Sequence, residues 1–296
     1  MTMRHVISLI FLIPLVLLLG SHFGAVHPLG DSLAVFRGPL AVVGGISALI
    51  LVRLKPKGAG VVAAVLVVWS AYTVLAPKLA FSSALDAPYA LYQKNMRFDM
   101  ASTVPLQGDI LEHNPDFVTL QEVSANNLPI LASLKEQYPA QVFCSFAGVG
   151  GVAVAARWPM VAGSGRCEEA SGMAAMQLET PHGPVWLVSL HLHWPYPMGQ
   201  AAQVRALVPM LVALEGPVVL GGDFNMVPWS HTMRSITAAT DTQRVGAPKY
   251  TFWLAKYYSL PIDHVLINTN SRPADTWKRP QLGSDHNGVL ARFYIR

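Results

Sequence analysis

Residues 88–296 are cut into short apolar runs that stop abruptly at polar side chains, a pattern that commits this part of the chain to a strand-rich fold. The clearest case is Val218-Val219-Leu220-Gly221-Gly222, which leads straight into Asp223-Phe224-Asn225. Side chains alternate along a strand, so Asp223 and Asn225 point to one side while Phe224 turns back to the core. An Asp at one strand end is as readily a turn residue as a catalyst. The pattern recurs, however. Tyr89–Asn95 ends in an amide, Phe117–Gln121 is followed by Glu122, Val185–Leu190 is followed by His191, and Pro261–Ile267 carries Asp263. Gly283-Ser284-Asp285-His286 leads into the apolar run Gly288–Ile295.

Two helices are predicted between these runs. Asn126–Gln137 is the first, and Gly199–Leu214 the second, with Val204, Leu207, Val208 and Leu211 at helical spacing. Pro181-His182-Gly183 reads as a hairpin turn between two strands. The chain shows no internal repeat and no low-complexity segment.

The ordered set Asn95, Gln121-Glu122, His191, Gly222-Asp223-Phe224-Asn225, Ile262-Asp263-His264 and Ser284-Asp285-His286 resembles the endonuclease/exonuclease/phosphatase family. That deoxyribonuclease-like superfamily includes abasic-site endonucleases, inositol-polyphosphate phosphatases and neutral sphingomyelinases. The resemblance covers residues 88–296, with no expected polar position missing. It implies an α/β fold, a four-layer sandwich of two mixed β-sheets flanked by helices.

Composition describes the rest of the chain. Hydrophobic residues make up 52% and charged ones 13%, against about 25% charged in an ordinary soluble domain. The apolar excess falls in residues 1–87, read as a membrane anchor of three transmembrane helices over about 6–26, 32–54 and 59–81, each near the ~20 residues a spanning helix needs. The first run also fits a cleaved signal peptide, with Arg4 ahead of it and small residues behind. The second has Arg37 and Pro39 in its first third, so its embedded part would start at Leu40. The basic loop Arg53-Leu54-Lys55-Pro56-Lys57 should stay in the cytoplasm. Counting spans then puts everything after Phe81 outside the cytoplasm, in the periplasm for a bacterial protein, with either reading of the first run.

Cys144 and Cys167 both fall in this outer part, where an oxidising compartment lets them pair across neighbouring strands. The alternative is two buried free thiols. Charge bears on the substrate. The net +4 comes from the first 87 residues, because residues 88–296 carry fifteen basic and fifteen acidic side chains. Duplex nucleic acid is usually met by a basic face, and no Lys/Arg-rich run occurs here. A nucleic acid partner is therefore disfavoured relative to a lipid or small phosphate ester, and the bilayer is the expected second partner.

Phosphate esters repel nucleophiles, and a hard divalent cation is the common remedy. Glu122, a carboxylate at a strand exit, is the first candidate ligand for Mg²⁺ or Mn²⁺. The resemblance adds Asn95 and Asp285 around the metal. Asp223 is then left to orient and deprotonate the attacking water, and Asn225 to hydrogen-bond the developing phosphorane. An imidazole held by a carboxylate stays more readily cationic, which suits His286 paired with Asp263 for stabilising that charge or helping the leaving group. By resemblance, His191 contacts the scissile phosphate. Asp285, next to His286 on an extended chain, should point elsewhere. His264 should face the core, His193 is a weaker candidate, Thr251 and Trp253 could line the site, and Arg97 could meet a phosphate or close a surface pair. The expected activity is a metal-dependent hydrolase acting on phosphodiesters or phosphomonoesters. A non-catalytic binding protein on the same fold is the rival, and a decayed site has no physical reason to keep several like charges together.

Overall fold

The computed structural model describes residues 3–54, 57–79 and 87–296. In chain order, β1 (Tyr89–Asn95), β2 (Phe117–Val123), β3 (Ala140–Ala147) and β4 (Gly150–Ala156) open the first sheet. β5 (Arg166–Glu168), β6 (Met173–Thr180), β7 (Gly183–His191), β8 (Val218–Asp223) and β9 (Thr242–Arg244) open the second. A small hairpin, β10 (Phe252–Leu254) and β11 (Tyr258–Leu260), precedes β12 (Asp263–Asn268) of the second sheet, and β13 (Arg272–Arg279) and β14 (Gly288–Tyr294) complete the first. Strand order is β13-β14-β1-β2-β4-β3 in one sheet and β5-β6-β7-β8-β12-β9 in the other. Only β1 with β2 and β7 with β8 pair in parallel, so both sheets are mixed.

The helices are α1 (Met3–Gly20), α2 (Leu29–Val35), α3 (Arg37–Leu54), α4 (Lys57–Leu75), α5 (Val104–His113), α6 (Pro129–Ser133), α7 (Gln200–Val212) and α8 (His231–Ala239). Between the sheets lies a core of Leu91, Phe117, Val154, Leu187, Val219, Val265 and Phe293. The first sheet's outer face buries Tyr92, Leu106, Ile110, Val118 and Ile130 under α5 and α6, and the second's buries Val188, Leu207, Leu220 and Ile236 under α7 and α8. Strands covered on both faces read as continuous apolar runs, which is why β8 shows no alternation. Its two glycines have a packing reason. A Cβ at Gly221 would collide with Thr119 of the facing sheet, and one at Gly222 with the Leu190 carbonyl of the neighbouring strand.

The two-sheet expectation holds in this architecture, with local differences. The first expected helix, Asn126–Gln137, shrinks to α6, with turns on either side, because Pro129 can stand only in a first helical turn. Neither α5 nor α8 was expected. Helix α8 is capped by the Ser230 side chain, which accepts from Met233 N. Asp109 on α5 is gripped by Arg279 Nη2 at 2.6 Å and by the Tyr92 hydroxyl. Burial favours the neutral Asp109 acid, but these bonds outweigh it and hold the group below its usual range. Asp109→Asn should therefore cost about 2 kcal/mol of stability at neutral pH. The wild type's advantage is present above the unfolded pKa and is lost as pH falls through the depressed folded value; denaturant titrations of both proteins across that window check it.

The three-span expectation is corrected. Among the described residues one helix, Gly60–Leu79, is long and apolar enough to cross a membrane, and the pair Leu29–Val35 and Arg37–Arg53, bent by 81°, would be a second only as one broken span. Pro39 explains the bend: its ring would meet the Val35 carbonyl in a continuous helix, so α3 starts afresh at Arg37. The first run forms α1, Met3–Gly20, of which Ser8–Gly20 is the apolar stretch among the described residues, and the chain then turns. Lys55 and Pro56 of the basic loop, and Ala80 and Phe81 of the third run, lie outside the described residues.

Cys144 of β3 and Cys167 of β5 form the expected disulfide, closing a loop of sequence separation 23. A loop of that length is worth about 3 kcal/mol by chain entropy. Cys144→Ser should accordingly lower stability by about that amount, and reductant should do the same to the wild type but not to the variant.

Candidate active site

Strand ends converge at one edge of the sandwich. In the parallel pairs Asn95 stands opposite Gln121 and His191 opposite Asp223, so their carboxyl ends lie together. The antiparallel strand β12 begins there, with Asp263 opposite Asp223. The turn before β14 adds Ser284, Asp285 and His286. Two site residues hold left-handed backbone, Glu122 at φ 55 and Asn225 at φ 47. Such conformations are costly for non-glycine residues and persist where the surroundings impose them. At Glu122 the cause is a bulge in the β2–β4 pairing between Gln121 and Val123.

A continuous polar chain crosses the site. Asp263 accepts from Gln93 Nε2 at 2.9 Å and from the Thr251 hydroxyl, and meets His286 Nδ1 at 2.9 Å. His286 Nε2 lies 3.7 Å from Asp223 Oδ2, and His191 Nε2 lies 3.8 Å from the same oxygen. Asn95 Nδ2 then donates to Asp223 at 2.9 Å and to Glu122 at 3.0 Å. The Glu122 carboxylate also accepts from Phe98 N, and Asn225 N donates to Asp223 Oδ1 at 2.8 Å. Ser284 ties the two halves, donating to the Asn95 carbonyl and accepting from His286 N.

Burial sets the electrostatics. It raises the Asp223 carboxyl to about 7, with the Asp263 charge adding to the rise and His286 opposing it. For His286 burial alone would favour the neutral ring, but Asp263 and Asp223 outweigh it and raise the group to about 9. Asp263 is driven below its usual range by His286 and its hydrogen bonds, despite burial. His191, buried and facing His286 and His193, drops to about 3 and is a neutral imidazole. At neutral pH the site thus holds an anionic Asp263, a cationic His286 and a carboxyl at Asp223 poised to take a proton.

Asp223, His286, His191 and Asn225 line a cavity of about 480 Å³ with Glu122, Asp285 and His193, walled by Phe146, Trp194, Met198 and Phe252, and Asp263 and Asn95 support it from behind. Among the described residues no Lys or Arg lines it. Donor atoms of Asp223, Asp263 and His286 all lie within 4.8 Å of one another, but Asp263 is already bonded by three partners and His286 carries a proton. On the other side, Glu122 and Asp285, two carboxylates that could hold a hard cation, line the same cavity, and Asn95 bonds Glu122. Burial first, and Asp285 last, hold the Glu122 carboxyl above its usual range, a penalty that a cation there would remove. His191 Nδ1 and Asn225 Oδ1 are buried without a partner among the described residues, polar atoms that a ligand would complete.

The structure therefore brings together all eight residues expected at the site. Asp285 departs from expectation by facing the same cavity as His286, because residues 282–286 form turns and bends rather than an extended strand. His264 turns away as expected, its Nε2 on the Met226 carbonyl at 2.9 Å. Arg97 closes a surface pair with Asp99 at 2.6 Å. Sequence reasoning missed Gln93, which holds both Asp263 and Gln121, and Lys94, buried on the carbonyls of Pro280, Gln281 and His286. Their signal was a fully buried strand whose last three residues are all polar.

The sequence profile of the Endonuclease/Exonuclease/phosphatase family matches residues 94–286. The chain belongs to the endonuclease/exonuclease/phosphatase family. All eight site residues fall within the matched span. Solved structures of the same fold include an endonuclease/exonuclease/phosphatase from Beutenbergia cavernae, with TM-score 0.54 and 18% identity over 69% of this chain and 71% of that one. D. rerio TDP2 complexed with single-strand DNA product gives TM-score 0.56 and 14% identity over 70% and 99%. The Neisseria 3′ phosphatase NExo bound to a product DNA hairpin gives 0.55 and 16% over 69% and 99%. At these identities the likeness is one of fold. No curated protein matches the sequence.

Proposed function

We propose that this family member is a membrane-anchored, divalent-metal-dependent phosphoesterase that hydrolyses a phosphodiester or phosphomonoester by direct attack of water. The observation that carries the reading is the unbroken chain Asp263–His286–Asp223–Asn95–Glu122 along one cavity. Glu122, Asn95 and Asp285 would hold Mg²⁺ or Mn²⁺, which when bound supplies charge neutralisation at the phosphoryl oxygens. Asp223 takes the proton of the attacking water as the new phosphorus–oxygen bond forms, and its raised pKa suits that task near neutral pH. His286, kept cationic by Asp263, faces the charge that develops as the leaving-group oxygen departs. Asn225 spends one amide hydrogen on the Leu192 carbonyl at 2.7 Å. Its unpartnered Oδ1 can accept from the water, and its second amide hydrogen is left for a phosphorane oxygen. His191, being neutral, contributes an N–H rather than a charge.

The substrate we favour is a lipid or another small phosphate ester. A cavity walled by aromatic residues and free of Lys and Arg suits a single phosphate with an apolar substituent better than a polyanion. Nucleic acid remains the second enzymatic reading, since the TDP2 and NExo structures hold DNA products. We place the site outside the cytoplasm. The start of α3 and the turn after α4 both meet the catalytic domain, through Arg37 on Trp229 O and Arg244 on Pro77 O, and the positive-inside rule for Arg53-Leu54-Lys55-Pro56-Lys57 supports that side being the outer one. Presenting the full chain with phospholipid vesicles, plasmid DNA and a chromogenic bis-ester, each with magnesium, should release product from the lipid and the bis-ester; cleavage of DNA alone would replace the favoured substrate. A reporter enzyme fused after Arg296 should be active only outside the cytoplasm, and cytoplasmic activity would reverse the topology.

A further inference from the structure

We infer that the seven-residue helix α2, from the apolar N-terminal region, is a positioning bracket for the active site, with Asp31 as its central residue. The inference rests on the phosphoesterase reading for its kinetic arm only. Asp31 is buried, and its two carboxylate oxygens accept from the first amides of α8, His231 N at 2.7 Å and Thr232 N at 2.8 Å. A carboxylate at a helix N-terminus satisfies unpaired N–H groups and meets the positive end of the helix dipole. Here it comes from 200 residues away in sequence.

The short helix and its flanking residues, His27 to Arg37, grip three segments, each of which carries or adjoins site side chains. The first is the loop after Asp223 and Asn225, where Trp229 Nε1 donates to the Ala34 carbonyl at 2.7 Å and Arg37 donates to the Trp229 carbonyl. The second is the loop after His191, where Ser32 donates to the Tyr196 carbonyl at 2.8 Å and His27 meets the Tyr196 ring. The third is the β10–β11 hairpin, where the Tyr258 hydroxyl donates to the Val35 carbonyl at 3.0 Å and Phe36 stacks on its ring. That hairpin packs Phe252 against His286 and follows Thr251, which holds Asp263. Gln200 links the first two loops from inside, donating to the carbonyls of His193 and Phe224. Ala34 and Val35 join the core under the second sheet, so α2 is packed as part of the catalytic domain. Three loops held by one rigid element keep Asp223, His191 and His286 in register, and small misplacements of such groups are costly in rate.

The test compares the full chain in detergent with D31N and D31A by hydrogen exchange and by magnesium-dependent hydrolysis of a small chromogenic bis-ester. Asn keeps the shape and one good acceptor, so D31N should fall between the wild type and D31A. In D31A, exchange should rise in 224–233, 194–200 and 251–260 together while 185–190 stays protected, and kcat per folded molecule should fall at least about tenfold with KM little changed. Exchange confined to 231–233, or a D31A kcat within about twofold of wild type, would overturn the bracket. If the wild type hydrolyses nothing, the phosphoesterase reading fails, and the exchange pattern still decides the bracket by itself.

Discussion

Asp223→Ala should lower kcat by about 10³-fold, the usual scale for losing a positioned general base, while leaving the protein as stable as before or more so. The second half distinguishes a catalytic group from a structural one. Burial raises the folded-state pKa of Asp223, so the contribution of this group to stability is fully present below its unfolded pKa and is lost as pH rises through the folded value. Above that window the ionised carboxylate is a burden on the fold, offset in part by His286. Removing it should leave Tm at pH 8 unchanged or raised, with His286 still paired to Asp263. A loss of several degrees with activity retained would recast Asp223 as a structural acceptor for Asn95 and Asn225.

His286→Ala should behave in the opposite way, losing both activity and stability. The ring sits between two buried carboxylates, with Asp263 at 2.9 Å. Without it, Asp263 keeps Gln93 and Thr251 but no cation, and breaking a buried pair from one side costs about 3–5 kcal/mol. The rate should fall by about 10²–10³-fold, as for loss of a preorganised charge at the reacting centre. Adding Asp263→Asn should recover much of the stability and none of the activity, because the two residues act as one unit. Thermal unfolding and single-turnover kinetics of the three proteins check this. A His286→Ala variant as stable as wild type would mean that the pair is not formed.

Strand ends were legible because a buried strand has no other reason to stop at a carboxylate, an amide or an imidazole. That feature located Asp223, Glu122, His191 and His286; the Cys144–Cys167 pairing was expected across neighbouring strands, but it joins β3 and β5, edge strands of the two different sheets. The support behind the site was not legible. Gln93 reaches Asp263 from the facing sheet, and Thr251, read only as a residue that could line the site, reaches it from the loop before β10, contacts that sequence spacing does not encode, and Asp31 caps a helix that neither neighbours it in sequence nor was foreseen. Hydropathy gave three runs, whereas one helix and one bent pair pass as candidate spans among the described residues, because summing residues does not register the bend that Pro39 forces between α2 and α3. Asp285 was misjudged for a similar reason: alternation applies to extended backbone, and its segment is a turn.

The most direct test of the central claim is a magnesium titration of bis-ester hydrolysis by the full chain, run beside Glu122→Gln, Asp223→Ala and chelator. The account predicts saturable activation by the metal, a weakened apparent metal affinity in Glu122→Gln, and turnover lowered by about 10³-fold in Asp223→Ala at every metal concentration. Hydrolysis that persists in chelator, or that is undiminished by Asp223→Ala in a folded protein, would contradict it.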